Sequence, residues 1–220
     1  MSTLKLDDIQ GIVLRQHLLP TLRHFLLKVR DPAGALLGRL VSGNEADAPQ
    51  ISTAAEQAPS APYRLHLGIT WPGLAALGVT DRVPDLSFKS FPAFQAGAAA
   101  RAGMLGDVGP SAPEHWVGGF GSGDDHVLVT LYAADHQVRD DYSARLVGLF
   151  AAGDALRELW RIDGEALTEM RNGTPEYVNK LHFGYTDGIS QPTIIGGPEI
   201  PIPDHQQPCE PWLFVLQDAA

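Results

Sequence analysis

The order of strand-like and helix-like segments is the feature that most constrains how this chain of 220 residues can fold. Helical spacing of apolar residues occurs twice, at residues 36–41 and 140–150. The segments with the pattern of strands, either continuously apolar or alternating, are residues 24–30, 64–70, 126–132 and 156–167. The resulting order is strand, helix, strand, insertion, strand, helix, strand.

That order predicts an α+β protein with a ferredoxin-like fold, in which helices cover one face of a four-stranded antiparallel sheet. Units of this kind also pair as dimeric α+β barrels, and we expect this chain to be half of such a pair. The insertion, at residues 79–123, is long and is predicted to be helical only over residues 92–105. The second helix of the sheet domain is predicted to begin at Asp140 and Asp141, because acids suit the first turn of a helix.

The chain is predicted to have three parts. Residues 1–167 hold the ferredoxin-like domain, and residues 168–210 form a long excursion from its sheet. Residues 211–217 are apolar and are predicted to form a strand. A strand at this position would have no partner in the predicted sheet, so we expect residues 211–220 to begin a second domain that is absent from the sequence.

Composition excludes several classes of partner. A formal net charge of -10 at pH 7 argues against nucleic acid and anionic membranes as partners, since both would repel such a surface.

The single cysteine, Cys209, cannot form an intramolecular disulfide, and the sequence has no Cys/His spacing typical of zinc sites. The first residues lack the apolar core of a secretory signal, and no apolar run approaches a membrane span, so a cytoplasmic protein is expected.

One stretch, residues 182–192, combines an acid with residues that control the backbone. Gly184 and Gly188 carry no Cβ, and they permit unusual backbone angles and the close approach of a large flat ligand. Asp187 lies between them, and hydrogen-bonding side chains follow at residues 190–191. Spacing alone leaves two interpretations, an acid positioned for a ligand or a polar turn in which Asp187 bonds its own backbone.

The run GYTDGISQP, residues 184–192, resembles the GxxDG signature of the dye-decolourising peroxidases, haem enzymes that reduce hydrogen peroxide and oxidise dyes and phenols. Residues 8–11 resemble the family's opening DIQG, although Ile12 stands where an asparagine is often found. Further similar segments follow in the family's order, at residues 67–78, 99–107, 111–116 and 126–129. The resemblance covers nearly the whole chain, and only the first half of the family's usual length.

The resemblance implies a peroxidase with haem b as cofactor and with hydrogen peroxide and an organic reductant as partners. Asp187 matches the family's distal acid–base aspartate, and Gly188, Ile189 and Ser190 match positions whose backbone lies along the haem edge. The family's proximal histidine and distal arginine come from its second half, so the axial ligand is expected outside this chain. A second ferredoxin-like half or a homo-oligomer is therefore expected, and the chain alone should be inactive or nearly so.

The eight histidines of the chain are weak substitutes for that axial ligand. His66 alternates with apolar residues, which predicts a position on the polar face of a strand. His24 and His126 begin predicted strands, and His182 is too close to Asp187 in sequence to bind iron from the opposite side of a macrocycle. Three arginines are candidates for the distal arginine, and spacing does not choose among them: Arg145, Arg161 and Arg171.

Two functions from different classes follow. The first is the amino-terminal half of a dye-decolourising peroxidase, completed by further residues or by a separate chain. The second is a non-enzymatic α+β module that carries haem without turning over peroxide, or that dimerises through an exposed terminal strand. Titration with haem separates them, because the module would bind haem without peroxide-dependent dye bleaching.

Overall fold

The computed structural model describes residues 4–14, 19–30, 34–44, 46, 48–55, 61–80, 91–178, 180–186, 193–197 and 208–214. The four strands predicted for the sheet are present, as β1 (Thr21–Val29), β2 (Tyr63–Ile69), β3 (Val127–Ala133) and β4 (Leu156–Glu165). They form one antiparallel sheet in the order β2-β3-β1-β4. This is the ferredoxin-like arrangement that the sequence predicts. Within the described ranges the sheet is open and does not close into a barrel.

One face of the sheet carries the main hydrophobic core. Side chains alternate along a strand, so every second residue of β1 and β3 points to this face, beneath α2 (Gly34–Ser42) and α6 (His136–Ala151). The core contains these strand and helix residues: Phe25, Leu27, Val29, Val127, Val129, Leu131, Leu36, Leu37, Leu40, Leu146, Leu149 and Phe150. Full burial of one such side chain contributes roughly 1.5–3 kcal/mol, so this face dominates the stability of the domain.

Shorter helices lie outside this layer, as α1 (Gly11–Leu14), α3 (Trp71–Ala76), α4 (Pro92–Ala100) and α5 (Ala102–Leu105). The hydroxyl oxygen of Thr70 caps α3 by accepting a hydrogen bond of 3.2 Å from the backbone N–H of Gly73. The helix predicted over residues 92–105 is present as α4 and α5, and α4 is interrupted at Gly97, where φ is +73°. No helix in the described part of the chain is long and apolar enough to cross a membrane.

The start of α6 was predicted wrongly, because the helix begins at His136 and not at Asp140. The side chain of Asp135 accepts a hydrogen bond of 2.8 Å from the backbone N–H of Val138, which is the geometry of an N-cap. A capping acid therefore lies just before the helix and sets its first turn, and Asp140 and Asp141 fall in the second turn.

Asp140 belongs instead to a network of four charged side chains that joins α6 to the sheet. Arg23 donates to both carboxylate oxygens of Asp163 at 2.6 Å, and its third nitrogen lies 3.1 Å from Asp140. Arg139 lies 3.0 Å from Asp140 and 3.2 Å from Asp163. The hydrogen bonds from Arg23 hold the pKa of Asp163 below its ordinary value. Charge interactions with Arg23 and Arg139 act in the same direction.

Asp163→Asn should therefore lower stability at neutral pH and lose its effect in acid. When folding lowers the pKa of a carboxyl group, that group stabilises the folded state at pH values above its pKa in the unfolded chain, here about 3.8. The stabilisation is lost as the pH falls through the pKa of the group in the folded chain. Because Asp163 is partly exposed, we expect a loss of about 1 kcal/mol or less at pH 7. Urea unfolding at pH 7 and pH 3 measures the difference, with the exposed Asp141→Asn variant as control. A loss of equal size at both pH values would contradict the role of the network.

Two elements after β4 differ from the sequence prediction. A hairpin formed by β5 (Thr168–Arg171) and β6 (Thr174–Tyr177) was missed. Its turn is Asn172-Gly173, with φ of +51° and +80°, and an Asn-Gly pair is a strong hairpin signal that the sequence does contain. The prediction of a strand over residues 211–217 is wrong for the part that the structure describes, residues 211–214, because Pro211–Leu213 is a 3-10 turn. Pro211 fixes φ for such a turn, and the backbone N–H of Phe214 is bonded locally to Pro211.

The helix-free face of the sheet is partly buried as well. His66, predicted to lie on a polar face, is only 3% exposed, which corrects that prediction. It lies opposite Thr130 of β3, which in turn lies opposite His24 of β1. The Nδ1 atom of His24 and the hydroxyl of Thr130 are 2.9 Å apart. The reason for the error is that the neighbours on this face, Leu26 and Thr130, are themselves buried, so the face is not a solvated one.

His24→Asn should flatten the dependence of stability on pH. Burial lowers the pKa of His24 from its ordinary value of 6.5, so the unfolded chain binds the proton more tightly. The contribution of the neutral ring to stability is complete above about pH 6.5 and declines as the pH falls below it. Urea unfolding between pH 7.5 and pH 5 should show a shallower slope for His24→Asn than for the wild type. The exposed His115→Asn variant should keep the wild-type slope, and an unchanged slope for His24→Asn would contradict the prediction.

Candidate functional site

The predicted site residues Asp187, Gly188, Ile189 and Ser190 lie outside the described residues. Their predicted roles therefore stay predictions. The structure describes the chain on both sides of them, at residues 180–186 and 193–197. These two flanks determine where the site residues are attached to the fold.

The segment before Asp187 is a tight turn. Thr186 pairs with Lys180 in an antiparallel bridge, and the N–H of Leu181 donates to the carbonyl of Tyr185 at 2.8 Å. The N–H of Gly184 donates to the carbonyl of Leu181 at 2.8 Å, and the φ of Gly184 is +88°. This glycine therefore adopts a left-handed conformation that few other residues tolerate, as the sequence suggested.

The same turn exposes large apolar side chains at positions that precede Asp187 in the sequence. Phe183 is 87% exposed and Tyr185 is 73% exposed, and Leu181 is also exposed. The ammonium of Lys180 forms a hydrogen-bonded ion pair with Glu169 of β5, which ties the turn to the hairpin. Exposed aromatic side chains held on an ordered turn are typical of a surface that contacts an apolar ligand or another polypeptide.

The segment that follows the predicted site, residues 193–197, is anchored in a second, small hydrophobic cluster. Ile194 is 7% exposed and packs with Leu4, Ile9, Leu14 and Ala54. Backbone hydrogen bonds also join this segment to Cys209, whose N–H donates to the carbonyl of Thr193 at 2.7 Å and whose carbonyl accepts from the N–H of Ile195 at 3.0 Å. The chain leaving the predicted site is thus attached to the amino-terminal segment, which carries the DIQG-like residues.

Two of the described histidines, His126 and His136, contact other residues of the domain. His126 is buried, its Nδ1 atom accepts from the N–H of Val29 at 3.1 Å, and its Nε2 atom lies 3.1 Å from the carbonyl of Gly123. His136 lies 3.3 Å from Glu165. In the parts of the chain that the structure describes, no group of three or more His, Cys, Asp or Glu side chains could hold a metal ion.

The three candidate arginines are also engaged within the domain. Arg161 forms a bidentate ion pair with Glu158, with hydrogen bonds of 2.5 and 2.6 Å. Arg171 lies 3.8 Å from Glu176. Arg145 lies over the ring of Tyr142, 5.0 Å from its centroid. Each of these guanidinium groups contacts a side chain of its own strand, hairpin or helix.

Comparison with known proteins identifies relatives that match most of the chain. No family model matches. The dye-decolorizing peroxidase of Exidia glandulosa is 29% identical over 198 residues, covering 89% of this chain and 36% of the relative. The dye-decolorizing peroxidase msp1 of Mycetinis scorodonius is 29% identical over 220 residues, covering 98% of this chain and 39% of the relative.

Solved structures share the fold. A fungal DyP-type peroxidase from Auricularia auricula-judae superposes with a TM-score of 0.72 at 24% identity, covering 96% of this chain and 42% of that structure. A dye-decolorizing peroxidase in complex with 2,6-dimethoxyphenol gives a TM-score of 0.71 at 25% identity, covering 94% of this chain and 43% of that structure. The chain is thus similar to dye-decolorizing peroxidases over most of its length. It spans less than half of the length of the relatives that it matches.

Proposed function

We propose that this chain forms the amino-terminal half of a haem-dependent peroxidase, with Asp187 as its acid–base residue. The observation that carries the proposal is the similarity to a dye-decolorizing peroxidase over 98% of the chain, which includes the run around Asp187. The substrates would be hydrogen peroxide and an organic reductant such as a dye or a phenol. The cofactor would be haem b.

The residues before the site suit one wall of a pocket for a flat apolar macrocycle. Phe183 and Tyr185 present aromatic surface on an ordered turn next to Asp187, and Gly184 keeps the backbone of that turn free of side-chain bulk. Gly188, Ile189 and Ser190 would contact the haem edge through their backbone. The iron ligand would come from the second half, as the resemblance to the family implies.

Asp187 would act as a proton carrier. Bound haem would supply the iron that binds peroxide and stores the oxidising equivalents. The ionised carboxylate of Asp187 would accept a proton from the inner oxygen of the peroxide and return it to the outer oxygen, which leaves as water. Such a group has to lie close to the reacting oxygens and be shielded from bulk water.

A second ferredoxin-like half would complete the pocket and supply the proximal histidine and the distal arginine. It would be supplied by further residues of the same protein, by a separate chain, or by a homo-oligomer. Exposed large apolar side chains on the hairpin, the turn and the carboxyl-terminal segment support a covering partner: Met170, Tyr177, Phe183, Tyr185, Trp212 and Leu213.

Titration with haem tests the proposal. The purified chain alone should show little or no peroxide-dependent dye bleaching, since a distal acid without an axial ligand cannot activate iron. The complete protein, with the second half present, should show the absorption spectrum of histidine-ligated haem and should bleach dye when peroxide is added. A complete protein that binds no haem would contradict the proposal.

A non-enzymatic module that carries haem, or that dimerises, is the second candidate. It is favoured by the same exposed apolar side chains, which suit an association surface whether or not the site turns over peroxide. The titration separates the two functions. Haem binding by the complete protein without dye bleaching would favour the module.

A further inference from the structure

The side chain of Gln10 binds the backbone of the sheet at its open edge. Its Oε1 atom accepts a hydrogen bond of 2.7 Å from the N–H of Leu67, and its Nε2 atom donates one of 2.9 Å to the carbonyl of the same residue. Leu67 belongs to β2, which is an edge strand. The primary amide of Gln10 thus occupies the position that a neighbouring strand would take.

Backbone hydrogen bonds hold the segment around Gln10 to the chain that precedes β2. The N–H of Gly11 donates to the carbonyl of Ser52 at 2.9 Å, and the N–H of Ala54 donates to the carbonyl of Ile9 at 2.7 Å. Ser52 is bonded in turn to Leu65 of β2, through its backbone N–H at 2.9 Å and its hydroxyl at 3.2 Å. The amino-terminal segment is therefore fixed against the sheet edge at two neighbouring positions, Leu65 and Leu67.

The amino-terminal segment around Gln10 also packs against residues 193–197, which follow the predicted site in the sequence. Ile9 and Leu4 are buried in the cluster that also buries Ile194, and a Cβ at Gly196 would lie 3.5 Å from the side chain of Leu4. Ile194 is seven positions after Asp187 in the sequence. A continuous series of contacts therefore runs from the sheet edge, through Gln10 and the small cluster, to one attachment point of the site.

We infer that Gln10 is a positioning residue for the run that contains Asp187. Its two hydrogen bonds fix the small cluster relative to the sheet, and the cluster fixes residues 193–197, which hold the carboxyl-terminal end of the run. This inference rests on the proposed function only for its effect on catalysis. Its structural part, the coupling of Gln10 to residues 193–197, stands independently.

Hydrogen–deuterium exchange tests the structural part. Gln10→Leu removes both hydrogen bonds to Leu67 and should speed amide exchange at residues 193–197 by about 5- to 30-fold. Gln10→Glu keeps an acceptor for the N–H of Leu67 and loses the donor, so it should give a smaller increase. If Gln10→Leu does not fold, Gln10→Glu still tests the coupling of Gln10 to residues 193–197.

Thr21→Val is the matched control. The buried hydroxyl of Thr21 lies 3.1 Å from the carbonyl of Ala133 and 3.3 Å from that of Asp135, so this variant also loses side-chain bonds to the sheet. Thr21 is not a member of the small cluster, and its loss should leave exchange at residues 193–197 unchanged under native conditions. Equal acceleration by Thr21→Val and Gln10→Leu, or none by either Gln10 variant, would overturn the coupling.

Peroxide kinetics of the complete haem protein test the catalytic part. Gln10→Leu should lower kcat/KM for peroxide by about tenfold, because a misplaced catalytic group loses much of its effect, and should leave KM for the dye unchanged. A loss with Asp187→Asn but none with Gln10→Leu would overturn the positioning role and leave the proposed function intact. No loss with Asp187→Asn would overturn the proposed function, and the exchange experiment would still decide the coupling.

Discussion

Asp187→Asn is expected to lower kcat/KM for hydrogen peroxide by about 10²- to 10⁴-fold in the complete haem protein, which is the usual contribution of a general acid–base residue. Asparagine has nearly the same shape as aspartate, so haem binding should not change. It cannot accept a proton from peroxide and return it. The loss should therefore appear in the reaction with peroxide and not in the affinity for the dye.

Steady-state dye bleaching at varied peroxide concentration measures this loss, and the haem absorption spectrum checks that the cofactor is bound equally. Asp141→Asn makes the same chemical change at an exposed position on α6, where the carboxylate only accepts a hydrogen bond of 2.8 Å from Gln137. It should turn over peroxide at the wild-type rate. Unchanged turnover in Asp187→Asn would remove the proposed role of this carboxylate.

Gly73→Ala is expected to cause the largest loss of stability, about 2–3 kcal/mol. A Cβ at this position would lie 2.2 Å from the carbonyl oxygen of His126, which also accepts a hydrogen bond of 3.0 Å from the N–H of Thr70. Because this oxygen belongs to the backbone, it cannot move away from the added methyl group as the end of a flexible side chain could. The junction between α3 and β3 would have to open, and the midpoint of thermal unfolding should fall by roughly 5–10 °C.

Gly38→Ala is the matched control for this prediction. Gly38 also lies in a helix, α2, but nothing lies within 4 Å of where its Cβ would be. Alanine there should stabilise the protein by about 0.5–1 kcal/mol, because it restricts the unfolded chain and favours the helix. A Gly73→Ala variant that melts at or above the wild-type temperature would contradict the close packing at His126.

The four-stranded sheet could be predicted from sequence because its strands carry their own pattern. Alternation in residues 126–132 gives the period of two expected for a strand with one buried face, and the continuous apolar run in 24–30 is typical of a strand covered on both faces. The ends of elements were harder to predict. The start of α6 depends on whether Asp135 or Asp140 caps the helix, and both are acids near its first turn.

Features that depend on distant partners could not be read from the sequence. His66 is buried beside residues of β3 that are far away in the sequence, since it lies opposite Thr130 and its ring contacts that of Tyr132. The hydrogen bonds of Gln10 to Leu67 join residues 57 positions apart. The hairpin at Asn172-Gly173 is different, since its turn signal was local and was overlooked.

The candidate site was predicted from resemblance and not from geometry. Glycine at 184 suggested an unusual backbone angle, and the structure has one there, with φ of +88°. The exposure of Phe183 and Tyr185 could not be predicted, because large aromatic residues are buried by default. The structure describes the chain on both sides of Asp187, in the turn at residues 180–186 and at the buried Ile194.

The proximity of residue 187 to the haem iron is the central claim, and paramagnetic broadening measures it directly. With Cys209, the one cysteine of this chain, and any cysteine of the second half replaced by serine, Asp187→Cys provides a single thiol for a trifluoromethyl label. In the complete protein loaded with ferric haem, the fluorine resonance should be strongly broadened relative to the same protein loaded with diamagnetic zinc protoporphyrin. Equal line widths with the two porphyrins would place residue 187 away from the iron and contradict the peroxidase site proposed for this chain.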